Sequence, residues 1–325
     1  MLQPRFDGNR VRASLSSPST KLRAWRPIAA SLAGVVLSLV PASAIAEPNI
    51  VGPPPRAAAK EVAGTLMIVG GGKLPDAVRD HFVELAGGKK GRLVYIPTAS
   101  ATPEIIQRNF NYWKAQTLAS VTMLDTLDAK TANDPAFVKP LTEATAAWLG
   151  GGDQSRLANA YRGTAVEREL RRLLARGGVV GGTSAGAAVM SSVMITGGNP
   201  QARVGVGFGL LPDVVIDQHF ENRKRQQRLL GVLTQHPSYL GLGIDEQTAV
   251  VVRGHTFTVV GNANVLLCLP PLAREPANVT KVLKSGEAGE LLLARLKPAS
   301  DTKTASKERP GSATTEASSK QHSAP

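Results

Sequence analysis

Three features of this chain could do nucleophilic chemistry: a serine set among glycines at 182–186, five histidines, and an acidic pair closing an apolar run at 245–246. Gly182-Thr183-Ser184-Ala185-Gly186 has the form G-x-S-x-G. It lies between the apolar run from Gly178 to Val180 and the small residues Ala187 to Ser192, which read as a helix. In a strand–turn–helix setting the small neighbours let the turn close. The serine oxygen then projects, and the next backbone N–H points at the same space. The N-terminus of the expected helix would add partial positive charge beneath a developing oxyanion. The plainer alternative is an idle serine in a tight turn, and the setting weighs against it.

A serine nucleophile needs a base. His322 lies in a polar tail, His81 on a polar stretch of an early helix, and His236 and His255 in turn-like segments. His219 follows the strand-like run Val214-Val215-Ile216, where loops gather at a sheet edge, so elimination favours it. The base in turn needs a carboxylate to hold its tautomer. Leu242-Gly243-Ile244 reads as a strand and ends in Asp245-Glu246; either acid could serve. The chain order serine, histidine, acid differs from the orders of the familiar proteases and hydrolases, and would be another convergent form of one geometry.

The elements that must position these groups alternate between strand and helix from Val62 onward. Thr65 to Val69, Arg92 to Ile96, Val121 to Leu124 and Ala146 to Leu149 read as strands; Val78, Phe82 and Leu85 lie at helical spacing. Phe110 to Leu118 and Glu167 to Ala175 read as further helices. This alternation predicts an α/β fold, a mostly parallel sheet with helices on both faces. Toward the C-terminus, Thr256 to Val260, Val265 to Leu269 and Glu290 to Ala294 read as antiparallel edge strands. The glycine run Gly70-Gly71-Gly72 is no nucleotide loop. Leu74 stands where a P-loop needs Ser or Thr, and Pro75 where the dinucleotide fingerprint needs its last glycine. It reads as a loop lining the cleft, and no cofactor is expected.

The two ends differ from this core. A basic stretch ending at Arg26, an apolar run from Ile28 to Val40 and the small-x-small patterns Ala42-Ser43-Ala44 and Ala44-Ile45-Ala46 read as a signal peptide over 1–46. The apolar run is shorter than the roughly 20 residues of a spanning helix, so no stable membrane insertion is expected after cleavage. Residues 47–61 read as a linker, 62–297 as one folded domain, and 298–325 as a tail too polar to order itself. The product would be periplasmic or extracellular.

Net charge is +13, which suits an acidic partner of some kind. Zinc-finger spacing and RNP-type aromatic runs are missing from the sequence, so nucleic acid is not the expected partner. The single cysteine, Cys268, sits in an apolar strand and excludes an intrachain disulfide or a cysteine metal cluster. No metal site is expected.

Four blocks together carry a resemblance. They are Trp148 to Gln154, Gly182 to Ala187, Asp217-Gln218-His219-Phe220 with Arg223, Arg225 and Arg228, and Gly243 to Ala249. In order and in register they resemble the cyanophycinases, a group within a serine peptidase family that also contains dipeptidase E, on a fold similar to class I glutamine amidotransferases. The resemblance implies Ser184 as nucleophile, His219 as base and Glu246 as orienting acid. It implies Gly152 and Ala185 as oxyanion donors, and Gln154, Asp217, Gln218, Arg223, Arg225 and Arg228 as the lining of the substrate pocket. The implied substrate is a polyaspartate backbone bearing arginine on each β-carboxyl, cut to β-aspartyl-arginine dipeptides. Guanidinium forks beside the nucleophile suit such an acidic peptide polymer. Two alternatives stand beside it: a narrower aspartyl or isoaspartyl dipeptidase, and a catalytically dead binding protein on the same scaffold. A homodimer is one assembly open to it.

Overall fold

The computed structural model of the protein describes residues 61–271 and 276–291. The expected signal peptide, nearly all of the linker and the tail lie outside the described residues.

Strand β1 (Val62–Val69) sets the plan of the fold. Leu66 and Ile68 enter one apolar cluster and Met67 and Val69 another, so the strand is covered on both faces. Helix α1 (Asp76–Leu85) buries Val78 and Phe82, as their spacing predicts. Next come β2 (Arg92–Ile96), α2 (Pro103–Lys114), β3 (Ser120–Met123), α3 (Pro135–Glu143) and β4 (Ala146–Leu149). α2 begins well before the expected Phe110. Pro103 in its first turn presets the helical φ, and only Trp113 of the helix is buried, so its polar face hides the period.

The chain continues with α4 (Gln154–Tyr161), α5 (Ala165–Ala175), β5 (Val179–Thr183) and α6 (Ala185–Ala188). A two-stranded hairpin, β6 (Val193–Gly197) and β7 (Arg203–Val206), leads to β8 (Val214–Gln218), α7 (Gln226–Gln235) and β9 (Leu240–Ile244). The last strands are β10 (Thr248–Gly254), β11 (Thr256–Gly261), β12 (Val265–Leu269), β13 (Asn278–Leu283) and β14 (Ala288–Glu290).

An eight-stranded sheet runs in the order β14-β11-β10-β1-β5-β4-β2-β3. The pairings from β1 through β5, β4 and β2 to β3 are parallel; β10, β11 and β14 add antiparallel to the other side of β1. This is the expected architecture, with one difference. β12 does not extend that edge but joins a second sheet, β13-β12-β9-β8, where it pairs with β9. The turn after β11 leaves β12 free to change sheets, and its alternation serves both sides. Val265 and Leu267 enter the main core, while Leu266 and Cys268 pack with Leu229, Val232 and Leu233 of α7. Ser184 and His219 therefore stand at the ends of strands in two different sheets.

Candidate active site

Ser184 sits between β5 and α6 with φ 52° and ψ −110°. A non-glycine residue held there costs on the order of 1–3 kcal/mol, and the surroundings must impose it. They do: its N–H donates to the carbonyl of Val69 (3.0 Å), and its own carbonyl accepts from Ala187 and Ala188. The turn can close because Gly186 lacks a side chain; a Cβ there would lie 2.1 Å from the Leu149 carbonyl oxygen. Helix α6 is a single turn rather than the longer helix expected from Ala187 to Ser192. One turn aligns few peptide dipoles, so oxyanion stabilisation falls to individual N–H groups rather than to a macrodipole.

His219, also at positive φ (49°), follows β8. Its Nε2 lies 2.8 Å from Ser184 Oγ, and its Nδ1 lies 2.5 Å from Glu246 Oε1. The adjacent Asp245 faces elsewhere: its Oδ1 accepts from the Glu221 N–H at 2.8 Å. Geometry thus separates the two acids that the sequence leaves open.

The loop after β1 organises all three segments. Three successive carbonyls, of Val69, Gly70 and Gly71, accept from the N–H groups of Ser184, His219 and Gln247 at 3.0, 2.7 and 2.9 Å. Gly71 has φ +114°, and a Cβ on it would lie 2.3 Å from His219 Cε1. Sequence reasoning placed this loop in the cleft but missed that it holds the triad segments in register. The signal was the triple glycine directly after the first strand.

Ala185 is buried in the turn, and its N–H has no protein acceptor among the described residues. The N–H groups of Gly151, half-buried, and Gly152, exposed, likewise have no protein acceptor among the described residues. Gly152 packs against the Ala99 carbonyl, whereas a Cβ on Gly151 would lie 3.5 Å from Ser184 Cβ. Gly151, a residue the sequence reading passed over, is therefore a second candidate donor beside the nucleophile.

The residues expected to line a substrate pocket divide sharply. Asp217 and Arg228 are buried and paired with each other: Arg228 Nε and Nη2 donate to the carboxylate at 2.7 and 2.5 Å, and Nη1 donates to the Gly198 carbonyl. Neither presents its charge to solvent. Gln154 is also buried and donates to the Ile195 carbonyl at 2.7 Å. Arg225 is mostly covered; its Nη1 donates to the backbone and side-chain oxygens of Gln218 at 2.6 and 2.7 Å, and stands 3.7 Å from Asp217. Burial, with Arg228 alongside, pushes the Arg225 guanidinium down to about 10. Arg223 is exposed, and its side chain makes no hydrogen bond or ion pair among the described residues. One buried carboxylate thus faces two guanidiniums, and Arg223 is left without an ion pair among the described residues.

Two expected results follow. Removing the Arg228 head group leaves the buried Asp217 without its two guanidinium hydrogen bonds and only the longer Arg225 contact, so Arg228→Ala should lower unfolding stability by about 3 kcal/mol, the lower end for a broken buried pair. A denaturation midpoint equal to wild type would contradict this. The second concerns pH. Burial pushes the His219 imidazole below its ordinary value, with Arg223 and Arg225 adding to the shift and the Glu246 hydrogen bond opposing it. His219 is therefore neutral to lower pH, and if it acts as the base the acid limb of kcat/KM should fall below about 6.5, the ordinary histidine value. Arg223→Gln removes one lowering influence and should move that limb upward. Above about pH 6.5 both folded and unfolded states hold a neutral imidazole; below it the unfolded chain takes the proton first, and stability declines.

Residues 66–260 match the model of peptidase family S51. The cyanophycinase of Geminocystis herdmanii is 36% identical over 200 residues, covering 58% of this chain and 74% of that protein. The cyanophycinase of Thermosynechococcus vestitus is 34% identical over 222 residues, covering 64% and 68%. A crystal structure of a peptidase from an acI-B1 Actinobacterium shares the fold, with a TM-score of 0.56 and 24% identity over 71% of this chain and 98% of that one. On this evidence the chain belongs to peptidase family S51 and is a serine-type peptidase.

Proposed function

We propose that the protein is an exported peptidase that cuts an aspartate-backbone polymer of the cyanophycin type to β-aspartyl-arginine dipeptides through an acyl-enzyme. The observation that carries this reading is the hydrogen-bonded line from Ser184 Oγ through His219 to Glu246, built on a serine held at positive φ. Ser184 Oγ attacks the scissile carbonyl while His219 Nε2 takes its proton, and Glu246 stabilises the resulting imidazolium. The oxyanion meets the N–H of Ala185 and of Gly151 or Gly152. His219 then returns the proton to the leaving amine, and a water activated by the same base releases the acyl group. The exposed Arg223, whose side chain has no ion pair among the described residues, favours an acidic chain, and the relatives' name points the same way.

The test is to incubate the protein with purified cyanophycin and weigh the products. β-Aspartyl-arginine is expected. Turnover of aspartyl dipeptides with the polymer left intact would replace this reading with a dipeptidase. Failure of a fluorophosphonate to label Ser184 would replace it with a binding protein.

Export rests on the sequence of residues 1–46. Among the described residues no helix is long and apolar enough to cross a membrane. The exported form should begin near Ile45 or Glu47; an intact Met1 in a membrane fraction would contradict export with cleavage.

A further inference from the structure

A cavity of 520 Å³ opens beside the nucleophile, on the side of the glycine loop and α2. Thr183, Gly151 and Gly72 lie in its wall, and each belongs to the machinery already described. Thr183 precedes Ser184. Gly151 faces Ser184 Cβ, and a Cβ on Gly72 would lie 2.9 Å from Glu246 Oε2. Whatever fills this space is joined to, or in contact with, the group being cut. Its size falls within the range of small-molecule sites.

The chemistry of the walls is uneven. Tyr95 and Trp148 give it an aromatic floor, fixed by packing of Trp148 against Phe82 and Trp113 at centroid distances of 4.7 and 4.8 Å. The charged groups in the wall are Lys73, Arg108 and Asp76. Asp76 is already paired: Arg79 Nη1 donates to it at 2.7 Å. Lys73 and Arg108 are exposed, and their side chains make no ion pair or hydrogen bond among the described residues. An apolar floor beneath two unpaired cations suits a group that carries a carboxylate beside a hydrocarbon stem.

We infer that this cavity is a specificity subsite that seats a carboxylate-bearing branch of the substrate next to the scissile bond, with Lys73 and Arg108 holding the carboxylate and Tyr95 and Trp148 covering the hydrocarbon stem beside it. The inference rests on the peptidase reading above. It assigns the carboxylate to the α2 side of the nucleophile, away from the Arg223 and Arg225 side.

Binding rather than turnover tests it. In a Ser184→Ala background, the full chain is titrated calorimetrically with β-aspartyl-arginine and with the same dipeptide amidated at the arginine carboxyl. A charge-assisted hydrogen bond predicts that the acid binds about tenfold tighter than the amide. Adding Lys73→Met and Arg108→Met should reduce that preference to less than about twofold, since both side chains are exposed and only their charge is removed. Circular dichroism and melting temperature check that the variant is folded. Equal affinity for acid and amide in the parent overturns the inference, as does absence of binding by both at millimolar concentration. So does a preference that survives Lys73→Met/Arg108→Met but vanishes in Arg223→Gln. If cyanophycin is not cut but the acid preference follows Lys73 and Arg108, the polymer reading fails and the carboxylate site stands. If cyanophycin is cut and the preference is absent, the reverse holds.

Discussion

Ser184→Ala is expected to lower polymer hydrolysis by about 10⁶-fold, the scale seen when a triad serine is removed. Stability should change little. Alanine occupies the same positive-φ position at a cost similar to that of serine, and the backbone bonds from Ser184 to Val69, Ala187 and Ala188 do not involve its hydroxyl. The lost side-chain bond is the one to His219, which stays anchored through its own N–H to Gly70 and its Nδ1 to Glu246. Single-turnover assays with the purified variant, run beside a thermal melt, measure both quantities. Residual hydrolysis above about a thousandth of wild type would point to another nucleophile, because such activity far exceeds what a triad lacking its serine retains.

Glu246→Gln comes second, with an expected fall of about 10⁴-fold in kcat. The amide keeps the length of the glutamate but carries no charge to stabilise imidazolium. Its NH₂ can also turn toward His219 Nδ1 and select the tautomer that places the proton on Nε2, where Ser184 needs an acceptor. Glu246 is partly exposed, so the change leaves no buried charge unpaired and KM should move far less than kcat. The same substitution at Asp245 should behave differently. That carboxylate caps the N–H of Glu221, so Asp245→Asn should reduce stability before it reduces the chemical step. If Asp245→Asn lost the full 10⁴ and Glu246→Gln lost little, the orienting acid would have been misassigned.

The parts of this fold legible in the sequence were those with a short-range cause. Apolar runs gave β2 and β4 to their ends and the latter part of β1, because each is buried on both faces, whereas only the first residues of β5 were legible before its sequence turns to Gly-Gly-Thr. The serine turn was legible because its small residues are demanded locally. Elimination among five histidines favoured His219, because the others fall in less suitable segments. What the sequence withheld was sheet membership. Nothing local to Val265–Leu269 says that it leaves the edge formed by β11 and pairs with β9. The roles of the arginines were withheld for a related reason. Arg225 and Arg228 look alike in a basic stretch, and only the buried position of Asp217 shows that Arg228 is tied to the interior while Arg223 is left facing solvent.

The three carbonyls after β1 have a consequence for the order in which the protein acquires activity. They join Val69, Gly70 and Gly71 to residues that lie far along the chain, and β1 itself pairs with β10 from Leu66 to Val252. Closing loops of that length is entropically costly, and contacts of high sequence separation form late. During refolding from denaturant, helices and the locally connected strands β2, β3 and β4 can assemble first while Ser184, His219 and Glu246 are still apart. Ellipticity should then recover ahead of hydrolysis, with the lag marking the moment at which the first strand of the domain meets its late partners. A chain still folding would be inert until that moment, its peptidase latent by topology.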